Sequence, residues 1–194
     1  MTELDIRTQI LDAAEIRFGQ YGYNKTTMAE IARDCDMSAA NLYRYFKNKL
    51  DIGAELSQQC LGDKELLLKN VIDDDALTSS EKLTAFMTSV LHYTYNHFDE
   101  SPKLSELVEA MTVLRPDVVQ KHSQVKLILL CELLKQGQQK GEFKLSNIEE
   151  TADAILTAIM LFYYPPTLRL YPLEVLEVKV NNLSRLLLEG LEVH

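Results

Sequence analysis

The sequence predicts an all-α protein. Apolar residues recur at helical spacing through most of the chain. Seven Gly and five Pro among 194 residues are few, which favours long helices. Threonine and serine followed three residues later by glutamate recur just before apolar stripes, and this pairing marks helix starts. A hydrophobic content of 46% is ample for a buried core. The length suits one large domain or two small ones.

The first helix is expected over residues 5–21. Thr2 and Asp5 make its start signal, and Ile6, Ile10, Ala13, Ala14 and Phe18 form its stripe. Gly22 ends it, as glycine is favoured just past a helix C-terminus. Thr27 and Glu30 form a capping box for a second helix with Met28, Ile31 and Ala32 on one face. Cys35-Asp36-Met37 breaks the pattern, and Asp36 suits a turn because aspartate tolerates unusual backbone angles. Ser38 is the N-cap of a third helix anchored by Leu42, with Phe46 and Met37 beside it. Two short helices joined by a tight turn make a helix-turn-helix. Asn48 caps a fourth helix running to about Asn70, where Gly62 marks a candidate bend.

Asp73-Asp74-Asp75 reads as a solvated loop rather than a metal site, since no paired histidines or loop glycines accompany it. Thr78 and Glu81 cap a fifth helix, on which Phe86, Val90, Tyr93 and His97 line one face. Ser101-Pro102 and Arg115-Pro116 open the sixth and seventh, proline being tolerated at the first helical position. The sixth carries Met111. The seventh runs to about Gly141 with Val118, His122, Val125, Leu129 and Leu133 on one face. Ser146 and Glu149 start an eighth helix from Asn147 to Tyr164, which Pro165-Pro166 ends. Pro172 opens a ninth. The last two helices are apolar around much of their surface, so each must be buried on more than one side. A four-helix interface with a second copy satisfies this, using Ile155, Ile159, Leu176, Val180 and Leu183. Filling the monomer core is the alternative.

The segment after Ser38 has the chemistry to meet DNA. Ala39 and Ala40 are small and allow close approach to a groove floor. Asn41 can read adenine edges and Arg44 guanine edges or phosphate. Tyr43 and Tyr45 carry hydroxyls for phosphate oxygens. Lys49 sits at a helix start, where free N–H groups and a cation can hold a phosphate together. Arg44, Lys47 and Lys49 face no acid between Met37 and Lys49, although the whole chain has net charge −9. A cationic solvated face is the plain alternative.

Residues 7–52 resemble the N-terminal domain of the tetracycline-repressor (TetR) family of bacterial regulators. The resemblance rests on QILDAAEIRFGQYGYNKTTMAEIARDCDMSAANLYRYFKNKLDI. ILDAA…F…GY matches that family's first helix, TTMAEIA its second, and NLYRYFKNK its recognition helix and the start of its fourth, without gaps. It implies a three-helix DNA-binding domain, here residues 1–50, on a helical effector-binding and dimerisation domain, residues 51–194. By position, Thr27, Tyr43, Tyr45 and Lys49 take the family's DNA-contact places, with residues 38–41 and Arg44 beside them. Asp36 departs from the usual turn glycine, and Ala39-Ala40 from the usual Lys-Gly or other polar-small pair, which bears on operator sequence and affinity.

The expected function is a dimeric transcriptional regulator, a repressor on a palindromic double-stranded operator, released by a small hydrophobic or amphipathic effector. Phe86, Val90, Tyr93, His97, Met111, Phe162 and Tyr163 are the candidate effector-binding residues, apolar with a few polar handles; ordinary core packing, with His97 bonded to a backbone carbonyl, is the alternative for each. The alternative is a helical small-molecule-binding protein without sequence-specific DNA recognition. No nucleophile–base pair, metal spacing or phosphate-binding glycine loop is present in the sequence, so neither an enzyme nor a cofactor is expected. Cys35, Cys60 and Cys131 are odd in number and far apart, which argues against a disulfide framework. No apolar run approaches the ~20 residues of a membrane span and no secretory signal follows Met1, so a cytoplasmic protein is expected.

Overall fold

The computed structural model describes residues 3–191, so Thr2 of the expected start signal lies outside the described residues. The elements are α1 (Glu3–Tyr21), α2 (Met28–Asp34), α3 (Ala39–Leu42), α4 (Lys49–Asp73), α5 (Ser79–Glu100), α6 (Ser105–Leu114), α7 (Pro116–Gln139), α8 (Ile148–Ala158), α9 (Pro165–Leu168) and α10 (Leu173–Leu191). Single 3-10 turns at Pro102–Leu104 and Met160–Phe162 precede α6 and follow α8. No β-strand forms among the described residues, and no helix there is long and apolar enough to cross a membrane.

The chain divides into two compact units. The first joins residues through Leu61 to Phe98–Gln120. The second joins Gly62–His97 to the residues from Lys121 onward. The first unit therefore extends past residue 50. Ile52, Ala54 and Leu56 of α4, and Leu107 and Met111 of α6, are buried in one cluster with Ile10, Phe18 and Leu42. Burying a large aliphatic side chain contributes about 1.5–3 kcal/mol, so these turns of α4 stay with the helices they cover.

Local chemistry sets the first unit's turns. Gly22 adopts φ 90°, and its N–H donates to the Phe18 carbonyl at 2.9 Å, closing α1. Thr27 and Glu30 form the reciprocal capping box of α2. Asp36 adopts φ 54°, the left-handed conformation that glycine takes without cost. The Ser38 side chain accepts from the Asn41 N–H at 3.2 Å, and Asn48 accepts from the Asp51 N–H at 2.9 Å to start α4.

The second unit packs α5, α7, α8, α10 and the C-terminal part of α4 around Phe86, Leu130, Ile155 and Leu176. Thr78 and Glu81 cap α5 reciprocally. The buried Lys82 ammonium donates to the Ile72 carbonyl at 2.6 Å, covering the end of α4. Two expectations shift. The N-cap of α8 is Asn147, not Ser146, because its amide oxygen reaches both the Glu149 and Glu150 N–H groups. The eighth helix also stops at Ala158 rather than Tyr164, and Pro165 opens the one-turn α9 instead of only ending a helix. Proline suits that place because the first helical N–H has no intrahelical partner.

Candidate nucleic-acid interface

The segment from Ser38 to Lys49 stands on the first unit's core. Leu42 and Phe46 are buried, and Met37, Ala39 and Tyr45 pack partly against the same cluster. Regular α-helix covers only Ala39–Leu42. Beyond it the chain tightens, with Arg44 N–H donating to Asn41 and Tyr45 N–H to Leu42 three residues back. Arg7 of α1 fixes this tight turn. Its guanidinium donates to the Tyr45 carbonyl at 2.7 Å, lies 4.3 Å over the Phe46 ring, and pairs with Glu55 of α4.

Exposure sorts the expected DNA-contact residues. Thr27, Ser38, Ala40, Tyr43, Arg44 and Lys47 are exposed, and Ala39, Asn41, Tyr45 and Lys49 are half-buried. Lys49 is committed elsewhere. Its ammonium donates to the carbonyls of Tyr23 at 2.6 Å and Thr26 at 2.8 Å, and lies 4.3 Å over the Tyr23 ring. Partial burial lowers its pKa, and the charges of Glu106 and Glu30 offset this in part. Lys49 therefore ties the loop between α1 and α2 to α4, and the phosphate role expected of it has no free ammonium in this structure. Thr27 spends its hydroxyl on Glu30 at 2.8 Å. Lys25 is the cation that sequence reasoning passed over. It is exposed on the loop beside Thr27.

Arg17 of α1 pairs with the acids of α2. Its guanidinium hydrogen-bonds Asp34 at 2.5 Å and lies 3.5 Å from Glu30. The Asp34 carboxyl is held below its usual range by that bond, and Glu30 chiefly by its bonds to Thr27. Three cations and two tyrosines follow Ser38 with no acid among them.

The candidate effector residues divide. Phe86, Val90 and Phe162 are buried in the second unit's core. Tyr93 and His97 stack with ring centroids 6.3 Å apart. Met111 is not with them, since it is buried in the first unit's cluster. Tyr163 is half-buried, and the Lys126 ammonium lies 3.7 Å over its ring. Sequence reasoning missed the charged groups around it. Lys64, His122 and Lys126 are all buried. Nδ1 of His122 lies 2.8 Å from a Glu65 carboxylate oxygen, and Lys64 donates to the Thr94 hydroxyl at 2.6 Å. Burial, helped by the charges of Lys126 and Lys64, pulls the His122 pKa down to about 3, so its imidazole is neutral. Burial also pulls Lys126 down to about 8, with Glu65 opposing. The available signal was positional: Lys64 falls between Cys60 and Leu68, and Lys126 between His122 and Leu130, each at four-residue steps on an apolar stripe.

The expected dimer residues are also placed differently. Ile155, Ile159, Leu176 and Val180 are buried in the protomer's own core, and Leu183 packs against it. The four buried residues cannot also face a second copy without unpacking, while Leu183 stays partly exposed. The exposed large apolar residues of this region are Met160, Tyr164, Leu170, Tyr171, Val175, Val178 and Leu186. An open depression of about 320 Å³, between Thr84 of α5 and Ser184 and Leu188 of α10, contains none of the expected effector residues.

Two family models match the chain. Residues 10–56 match bacterial regulatory proteins of the tetR family, and residues 79–181 match the tetracyclin repressor-like C-terminal domain. The fatty acid metabolism regulator protein of Bacillus subtilis is 28% identical over 160 residues, covering 79% of this chain and 76% of that protein. A crystal structure of a TetR-family regulator from Mesorhizobium loti superposes with a TM-score of 0.79 at 17% identity, covering all of both chains. The structure of FadR from B. subtilis in complex with stearoyl-CoA superposes with a TM-score of 0.71 at 23% identity, over 96% of this chain and 99% of that one. With an exposed cationic turn on the first unit and both halves matched, the chain belongs to the tetR family of bacterial regulatory proteins, DNA-binding regulators of transcription that respond to ligands.

Proposed function

We propose that this regulator is a repressor that binds a twofold operator as a homodimer and leaves it when a small apolar or amphipathic effector binds. The observation that carries the reading is the exposed Ala40, Tyr43, Arg44 and Lys47 set after Ser38. Arg44 and Asn41 would read base edges, while Lys47, Lys25 and the tyrosine hydroxyls would hold phosphates. Two copies read two half-sites when their recognition segments lie roughly 34–36 Å apart, one helical turn of DNA.

The exposed apolar residues of α10 and the segment before it supply the dimer surface, with Val178 and Leu186 the most exposed on α10. An effector acts only through unequal affinity for two conformers. The α4 helix runs through both compact units and gives an effector in the second a covalent route to the first. The relative that regulates fatty acid metabolism, and the similar structure holding stearoyl-CoA, make fatty-acyl compounds the first class to try. The protein works in the cytoplasm and catalyses no reaction of its own.

The test is footprinting of the DNA upstream of the protein's own reading frame, with and without palmitoyl-CoA and palmitate. The reading expects a protected twofold site that is released by one of them. A protected site that neither compound releases removes the fatty-acyl effector and keeps the DNA-binding role.

A further inference from the structure

The second unit holds its buried lysines in two different ways. Lys82 donates to a backbone carbonyl and to the side-chain oxygen of Gln136. Lys126 is 4% exposed, yet its ammonium makes no hydrogen bond among the described residues and lies 3.7 Å over the ring of Tyr163. Such a charge is costly to bury without a counter-charge. A leucine at the same place on α7 would pack without that cost.

Its surroundings are those of an incomplete anion site. Glu65 of α4 is the one acid that acts on Lys126, and it is already hydrogen-bonded to His122. Opposite an ionised Glu65 carboxylate, Nδ1 of His122 is the nitrogen that carries the proton and donates, and the neutral ring adds no positive charge. Lys64 of α4 is close enough to act electrostatically on His122, as Lys126 is. Tyr163 completes one wall, and its hydroxyl stays protonated because burial raises its pKa.

We propose that Lys126 anchors the carboxylate of an effector whose body is apolar, with Tyr163 and the Lys64–Thr94 pair around the head group. This rests on the effector reading above. A monoanion fits better than a phosphate dianion, because a second negative charge would meet Glu65. The site selects acids over the matching alcohols, and free acids over thioesters.

The test is calorimetry on the full chain at pH 7, where Lys126 is protonated, with dodecanoate, 1-dodecanol and lauroyl-CoA. Dodecanoate binds at least tenfold more tightly than dodecanol, and Lys126→Met erases the difference. The variant's melting temperature is not lowered, since an unpaired ammonium has been replaced by an apolar chain of similar length. As a check independent of the variant, the carboxyl carbon-13 resonance of bound dodecanoate stays at its ionised position in mildly acidic buffer that protonates the free acid. Equal binding of acid and alcohol overturns the anchor and leaves the effector reading standing. Binding of lauroyl-CoA alone overturns the carboxylate and keeps a fatty-acyl effector. Binding of none of the three, with operator release by some other compound, overturns the anchor and the fatty-acyl class together.

Discussion

The Lys49 ammonium donates to the Tyr23 carbonyl at 2.6 Å while lying over the ring of the same residue. One side chain thereby joins the start of α4 to the loop that closes α1. Glu106 holds that loop from another side, accepting from the Asn24 N–H at 3.0 Å. The loop thus rests on two charged side chains, from α4 and α6.

Replacing Lys49 is therefore a stability experiment first. Hydrogen bonds to a charged group contribute about 1.5–3 kcal/mol. Lys49→Ala lowers the free energy of urea unfolding by a similar amount. Lys49→Ala with unchanged unfolding and weaker DNA binding would return Lys49 to the phosphate backbone.

Asp36 is the next test, because its φ is positive. A residue with a Cβ pays about 1–2 kcal/mol in that conformation, less for aspartate, whose side chain bonds locally. Asp36→Ala destabilises by about 1 kcal/mol in chemical denaturation, and Asp36→Gly is neutral or stabilising. Equal losses for both would mean that the aspartate side chain, not the backbone angle, matters there.

His122 makes the second unit acid-sensitive. Its pKa is about 3 when folded and 6.5 as the reference value, so the unfolded chain binds the extra proton first. The stability tied to the neutral imidazole is complete above pH 6.5 and is lost as pH falls toward 3. The full loss is on the order of a few kcal/mol. Glu65 works in the opposite direction, because burial raises its pKa and it gains a proton first when folded. Unfolding free energies at several pH values show a steeper acid loss for wild type than for His122→Gln. Parallel curves would contradict the neutral, buried imidazole.

The dimer surface is tested on α10. Val178 is 60% exposed, so Val178→Glu leaves the protomer folded. Sedimentation then shows a dimer for wild type and a shift to monomer for the variant. An unchanged dimer would place the interface elsewhere.

Most helices were legible because their signals are local. Thr27–Glu30, Thr78–Glu81, Asn48 and Pro116 need only neighbouring residues, and each caps or opens a helix where the spacing expected it, whereas Ser101 makes no side-chain cap and Pro102 opens a 3-10 turn, with α6 starting only at Ser105. Ser146 and Asn147 competed for one cap, and pattern alone did not separate them. The one-turn α9 was hidden because proline both ends and opens helices. Tertiary facts were not legible. Lys49, read as a phosphate contact, folds back on carbonyls about 25 residues earlier, which nothing in its local sequence states. Lys126 sits on a stripe that reads as core only if a lysine is allowed there. Ile155 and Val180 were apolar enough for either interface or core, and packing placed them in the core.

The most direct measurement is fluorescence anisotropy of the purified protein on its own upstream duplex, over a salt series and against genomic competitor. The account predicts preference for one twofold site, and for Lys47→Ala a salt slope smaller by about one unit per half-site with the preference kept. No preference for any duplex over the competitor, with or without fatty-acyl compounds, would contradict it.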